Sequence, residues 1–246
     1  MANAEEPILE VRSITKRFPG VVALDNVSAQ FYPGKVHAVV GENGAGKSTL
    51  MKILVGAYIP DEGEILFQGQ PIHFSHPREA QEAGISIIYQ EFNLLPERTV
   101  AQNIFLGREP TRYGLIDQRQ LRRRTRDVLK QVGAEDMISP DAEVKSLSIA
   151  EQQLVEIAKA LSFDSKVLIM DEPTAALATH EVEILTRLIH KLIEQGMAVI
   201  FISHRFTEVF DIADTITVLK DGQYVATAPA TEVTPSKIIT MMVGRE

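Results

Sequence analysis

Cysteine is absent from the 246 residues, which excludes disulfide staples and thiolate metal sites and permits a reducing compartment. No apolar run approaches the roughly 20 residues that span a bilayer as a helix, so the chain itself is expected to be soluble. The opening stretch, Met1-Ala2-Asn3-Ala4-Glu5-Glu6-Pro7, has neither the basic nor the apolar region of a secretory signal, and none is expected. Positive charge is in deficit as well. The 25 Lys and Arg against 33 Asp and Glu leave a formal net charge of −8, which argues against a nucleic-acid partner held by phosphate neutralisation. The one concentrated basic stretch is Arg122-Arg123-Arg124-Thr125-Arg126. Its neighbours Leu121, Val128, Leu129 and Val132 recur at helical spacing, so it reads as the solvated face of an amphipathic helix. There is no low-complexity tract and no internal repeat. His37, His73, His76, His180 and His190 form no metal-ligand pattern, and His73 and His76, set between Pro71 and Pro77, are expected in an extended loop.

The chain does have enough apolar residues, 45%, to bury a full core, and its length suits one domain with an inserted lobe. After the apolar run Val36 to Val40 comes Gly41-Glu42-Asn43-Gly44-Ala45-Gly46-Lys47-Ser48-Thr49, which fits the phosphate-loop pattern G-x-x-x-x-G-K-[ST] at each specified position. A chance match arises in roughly one chain of this length in a hundred on ordinary composition. The glycines, with Asn43 and Ala45 between them, let successive backbone N–H groups curl around a β-phosphate. A helix starting near Gly46 points its positive dipole end at the same charge. Lys47 then spans the β- and γ-phosphates, Ser48 holds Mg²⁺ and Thr49 bonds an inner phosphate. Nucleoside-triphosphate binding is the expectation.

Short β-like runs at Ile8 to Val11 and Val27 to Phe31, and a hairpin of Gly63 to Phe67 with Pro71 to Phe74, predict an antiparallel layer flanking the nucleotide. From Val100 to about Phe163 the pattern turns helical, with segments at Val100 to Leu106, Asp117 to Val132 and Ile149 to Leu161 separated by Pro110, Gly114, Gly133 and Pro140. We read an inserted helical lobe over about 96–163, with the core at about 1–95 and 164–246. Strand signals return at Val167 to Met170, Val199 to Ile202 and Ile216 to Leu219, with a helix at Val182 to Ile193, and this alternation marks a parallel α/β sheet. Asp221-Gly222 reads as the tight turn of a hairpin ending at Tyr224 to Ala226.

The strand Lys166-Val167-Leu168-Ile169-Met170 ends in Asp171-Glu172-Pro173. Adjacent strand side chains diverge, so the two acids take different jobs: Asp171 reaches toward Mg²⁺, and Glu172 orients and polarises the attacking water.

Tyr89-Gln90-Glu91 and Leu147-Ser148-Ile149-Ala150-Glu151-Gln152-Gln153 lie between the two phosphate motifs, and Ile202-Ser203-His204-Arg205 follows them. In that order they resemble the nucleotide-binding domain of ATP-binding cassette (ABC) transporters, over essentially the whole chain. Leu147 to Leu161, Ile202 to Gly222 and the ending Met241 to Glu246 look closest to the first half of fused sugar-import ATPases. The resemblance implies a P-loop NTPase (RecA-like) core with a mixed sheet, a flanking antiparallel layer and a helical lobe. It implies ATP with Mg²⁺ bound at Ser48, Gln90 and Asp171, with Gln90 in the loop that couples nucleotide state to the lobe. His204 is expected to touch the γ-phosphate, which makes Glu172, His204, Lys47 and Gln90 the catalytic set, and Phe18 to stack on adenine. Ser148 would be presented to ATP bound by the opposite domain. The implied partners are a second nucleotide-binding domain, transmembrane permease subunits and, indirectly, a solute-binding protein, at the cytoplasmic face of the inner membrane.

One departure from the family pattern stands out. Where the usual signature is Leu-Ser-Gly-Gly-Gln, this chain has Ile149, Ala150 and Glu151 at the last three places. Side chains there narrow the approach and Glu151 adds negative charge, so this signature is expected to serve a partner's ATP poorly. Ser148 and Glu151 also fit the S-x-x-E capping box. The loop after Pro173, Thr174-Ala175-Ala176-Leu177-Ala178, has alanine where many relatives carry aspartate, which counts against a cross-domain contact there. Two other readings stay open: a soluble ABC protein of the translation or DNA-repair type, which needs nucleic-acid contact, and a regulatory nucleotide-binding module inactive alone.

Overall fold

Val36–Val40 is buried along its whole length, as a run with no polar alternation must be when both faces of its sheet are covered. The computed structural model describes residues 6–243. Residues 1–5 and 244–246, which carry part of the signal-peptide reading and the end of the sugar-import resemblance, lie outside the described residues.

Strands β1 (Leu9–Phe18) and β2 (Val21–Phe31) form an antiparallel pair. The chain then enters β3 (Val36–Val40), passes through the phosphate loop and winds into α1 (Lys47–Leu54). A hairpin of β4 (Glu62–Phe67) and β5 (Gln70–Ile72) returns to β1, completing a four-stranded antiparallel sheet in the order β2-β1-β4-β5. Helix α2 (Pro77–Ala83) and strand β6 (Ile85–Ile88) follow. Next come α3 (Val100–Ile104), the small hairpin β7 (Thr111–Arg112) and β8 (Leu115–Ile116), α4 (Gln118–Gln131) and α5 (Ile149–Leu161). The chain then alternates through β9 (Val167–Asp171), α6 (Thr179–Glu194), β10 (Ala198–Ile202) and α7 (Phe206–Ile212), and ends with β11 (Thr215–Lys220), β12 (Gln223–Pro229) and α8 (Pro235–Val243). The central sheet has the order β12-β11-β3-β10-β9-β6, parallel except for the β11–β12 hairpin.

Period-two alternation splits the central strands between two apolar layers. Leu168, Met170 and Phe201 face the cluster that contains α5, α6 and the lobe residues Leu121 and Val128. Val167, Ile169, Ile200 and Ile202 face the antiparallel sheet and α1. The helical insertion and the core therefore share one continuous apolar contact. On α4, Leu121, Val128 and Leu129 are buried, while Arg122, Arg123, Arg124 and Arg126 are exposed.

His73 and His76 lie in the loop between β5 and α2, as expected, with His76 extended at φ −151°, ψ 143°; its Nδ1 also accepts from the Arg78 N–H (3.2 Å) and caps α2, whose first residue is Pro77, the position where a missing N–H costs least. Two local expectations need correction. The insertion is not purely helical, because Pro110 leads into the β7–β8 hairpin and Gly114 sits in its turn. Glu172 does not continue the strand. Its φ of +48° turns the chain after Asp171, the last residue of β9. β6, α7 and α8 have no counterpart in the sequence reading, whereas the Asp221-Gly222 turn does form, with φ of +50° and +77°.

Candidate functional site

The carboxyl ends of β3, β6, β9 and β10 open on one edge of the central sheet, the place where open α/β sheets bind ligands. A cleft of about 450 Å³ lies there, lined by Phe18, Val21, Ala23, Asn43, Gly44, Gly46, Lys47, Ser48, Thr49, Gln90, Asp171 and Glu172. Two of the glycines are required sterically. Gly46 caps α1 at φ +97°, ψ −3°, and a Cβ on it would lie 2.6 Å from the Ala23 carbonyl oxygen and 2.7 Å from Leu24 Cδ2. A Cβ on Gly41 would run into the Leu219 carbonyl and Ala45 Cβ. Gly41 and Ala45 are themselves buried and form the floor of the loop.

Lys47 Nζ donates to the carbonyls of Gly41 (2.7 Å) and Glu42 (3.0 Å), which folds the amine over its own loop. Burial lowers its pKa, against the opposing pull of Glu172 and then Asp171. Asp171 shifts the other way: burial and the neighbouring Glu172 raise its pKa, and Lys47 and Lys52 only partly offset them. A carboxylate in this state gains from a cation brought beside it.

Glu172 sits in a left-handed conformation rarely adopted by a non-glycine residue. Its N–H donates to the Ile202 carbonyl (2.9 Å), and its Oε1 lies 3.1 Å from His204 Nδ1. The ends of β9 and β10 are thus joined at both backbone and side chain. Glu172 is mostly enclosed, with 22% of its side chain exposed, whereas His204 is 62% exposed. Phe18, at the end of β1, closes the opposite end. Its ring meets Tyr58 edge-on at 5.3 Å and carries Lys16 Nζ 5.5 Å from its centroid.

Gln90 is exposed two residues beyond β6, and its loop is clamped to α5 by contacts that the sequence reading did not anticipate. The Asn93 N–H donates to Glu156 Oε1 (2.6 Å) and Lys159 Nζ donates to the Asn93 carbonyl (2.8 Å). An acid on the apolar face of α5, beside Leu154, Val155 and Ile157, was the signal available in the sequence. Burial raises the pKa of Glu156, with Lys159 and the Asn93 N–H pulling the other way.

Of the expected site residues, His204 does not line the cleft and meets it through Glu172, while Ser148 lies away from it. It caps α5 through a reciprocal box: Glu151 N–H donates to Ser148 Oγ (3.3 Å), and Ser148 N–H donates to Glu151 Oε2 (2.8 Å). It borders a separate pocket against α6, with Ile149 47% exposed beside it.

A parallel sheet feeding a glycine-bent loop into α1, with paired acids at the end of the adjacent strand, defines an α/β phosphate-loop NTPase fold. A family model described as "ABC transporter" matches residues 24–175, and the chain belongs to that family. It is 51% identical over 246 residues to the putative ribose/galactose/methyl galactoside import ATP-binding protein 2 of Burkholderia lata, covering all of this chain and 46% of that protein. It is 52% identical over 239 residues to the ribose import ATP-binding protein RbsA 1 of Rubrobacter xylanophilus, covering 97% of this chain and 47% of that protein. The chain therefore spans about half the length of the curated relatives it matches. Among solved structures, a nucleotide-free ATP-binding cassette from an ABC transporter superposes with a TM-score of 0.82 at 27% identity, covering 97% of this chain and 95% of that one. A dimeric ATP-binding cassette in a post-hydrolysis state with ADP and Pi gives 0.75 at 26% identity, covering 90% and 98%.

Proposed function

We propose that this chain is the first nucleotide-binding half of an ATPase that powers import of a sugar or related solute. The observation that carries the hydrolytic reading is the Glu172–His204 contact of 3.1 Å at the mouth of the phosphate-loop cleft. Lys47 and the N–H groups of Gly44 to Thr49 bind the β- and γ-phosphates of ATP, and Phe18 stacks on the base. Glu172 orients the attacking water and accepts its proton, and His204 holds the γ-phosphate in line. The oxygen donors bordering the cleft, Ser48 hydroxyl, Gln90 amide and Asp171 carboxylate, form a set that suits Mg²⁺. Held by these residues, such an ion would supply charge neutralisation.

Gln90 senses the filled site and, through the Asn93–Glu156 clamp, passes it to α5 and the helical lobe. Facing a second nucleotide-binding domain, this chain completes the site over its own phosphate loop with the partner's signature. Closure of the pair then moves permease subunits at the cytoplasmic face of the inner membrane. Sugar import is supported by the names of relatives matched along the whole chain at about half identity.

Two measurements test this reading. Fluorescent ATP should bind with Mg²⁺ and lose affinity on Lys47→Ala. Turnover in the presence of a second nucleotide-binding domain should fall by about 10²–10⁴ on His204→Ala, the range for a positioned proton-transfer or charge-stabilising group. Full turnover in His204→Ala would contradict it.

A further inference from the structure

Glu208 lies one helical turn beneath the site, on α7, and only 11% of its side chain is exposed. Its Oε2 accepts from Thr174 Oγ1 at 2.6 Å and from Ser203 Oγ at 3.1 Å, and its Oε1 accepts from Arg205 Nη1 at 3.1 Å. Ser203 Oγ also accepts the Arg205 N–H at 3.0 Å. Thr174 and Ser203 are each 4% exposed, so their bonds to Glu208 are shielded from competing water, whereas Arg205, 42% exposed, makes its bond at the surface.

This carboxylate therefore grips both residues flanking His204, and on the other side the residue two places after Glu172. It does not line the nucleotide cleft and touches no reacting atom. We infer that Glu208 is a positioning residue: it sets the Glu172–His204 spacing and carries displacement of the Thr174–Ala178 segment into the His204 loop. That segment leads directly into α6, which starts at Thr179. The two loops are already joined above by the Glu172 N–H to Ile202 carbonyl bond, and Glu208 makes the second attachment below. Two attachments prevent the rotation that one would allow. Movement of the 174–178 segment is thereby relayed within the same chain to the histidine at its own ATP.

The inference rests on the hydrolytic reading above for its kinetic consequence but not for its geometry. The test uses Glu208→Ala, the isosteric Glu208→Gln and Thr174→Val, each assayed for turnover with a second nucleotide-binding domain supplied and for His204 ring signals by NMR. Losing buried bonds to a charged acceptor should lower kcat of Glu208→Ala by about 10- to 100-fold, with KM and nucleotide affinity held within about twofold. Glu208→Gln should recover most of that loss, and adding Thr174→Val to Glu208→Ala should cost nothing further, because both cut the same connection. The His204 signals should shift in Glu208→Ala while those of His180 stay put. Unchanged His204 signals, or a lowered melting temperature with kcat intact, would overturn the positioning role. If wild type and Glu172→Gln turn over equally slowly, the hydrolytic reading fails, and the NMR comparison still decides this one.

Discussion

Alanine substitutions at Gly44 and Gly46 separate two reasons for a glycine within one loop. Both residues have positive φ, +85° and +97°, and holding an L-residue there costs about 1–2 kcal/mol. Stiffening the unfolded chain returns about 0.4–1 kcal/mol, so Gly44→Ala, with nothing within 4 Å of the added Cβ, should cost roughly 0.5–1 kcal/mol. Gly46→Ala has the same strain and a collision besides. Its Cβ would meet the Ala23 carbonyl oxygen at 2.6 Å and Leu24 Cδ2 at 2.7 Å, and neither can withdraw freely. Ala23 lies on β2, which is tied two residues further on by the Asp25 N–H to the Gly222 carbonyl (2.8 Å), and Leu24 is fully buried. Overpacking of this kind adds about 1–3 kcal/mol, for a total of roughly 2–4. Urea unfolding of both variants, fitted with a common m-value, reads the difference directly. Equal midpoints would refute the steric account of Gly46. Because Gly46 caps α1 and its carbonyl accepts the Leu50 N–H (2.9 Å), the same variant should bind ATP far more weakly than Gly44→Ala relative to its stability.

The remaining predictions concern titration and stacking. Burial lowers the pKa of His37 from 6.5 to about 4, so its contribution is present above pH 6.5 and is lost as pH falls toward 4. Wild type should lose about 3 kcal/mol more stability across that window than His37→Gln, measured by denaturant titration at each pH; parallel curves would exclude the effect. Asp171 is shifted upward by burial and Glu172, so its charge opposes folding once pH exceeds the ordinary carboxylate range. Asp171→Asn should therefore raise the melting temperature of the nucleotide-free protein at pH 7, with the gain shrinking on acidification and Mg²⁺-dependent ATP binding weakened. Phe18→Ala should lower ATP affinity by about 1–3 kcal/mol, whereas an unchanged Kd would reduce Phe18 to a packing partner of Tyr58.

The elements that were legible in the sequence have a strong local pattern. The continuous apolar runs of β3, β9 and β10 and the helix Ile149–Leu161 form where the residues alone place them, because burial on both faces or on one stripe leaves little alternative. The phosphate loop was legible because its steric demands, as at Gly41 and Gly46, fall on single residues. The short elements were not. β6, four residues long, gains its strand state from pairing with β9, and α2 begins at a histidine cap that no common N-cap preference favours. Glu172's left-handed turn depends on a bond to Ile202, thirty residues on in the chain. Glu156 and Glu208 escaped notice for the same reason: their partners, Asn93 and Thr174, are brought close only by the finished fold.

The composite-site claim is tested most directly by steady-state ATP turnover of this chain alone, with a second nucleotide-binding half supplied, and with that half added to Glu172→Gln. Ile149 is exposed beside Ser148, and the Glu151 carboxylate is folded onto the Ser148 N–H, so a pair of identical chains should present poor signatures to each other. The account predicts slow turnover alone, a marked rise with the second half, and loss of that rise in Glu172→Gln. Fast, concentration-dependent turnover by the chain alone would contradict it.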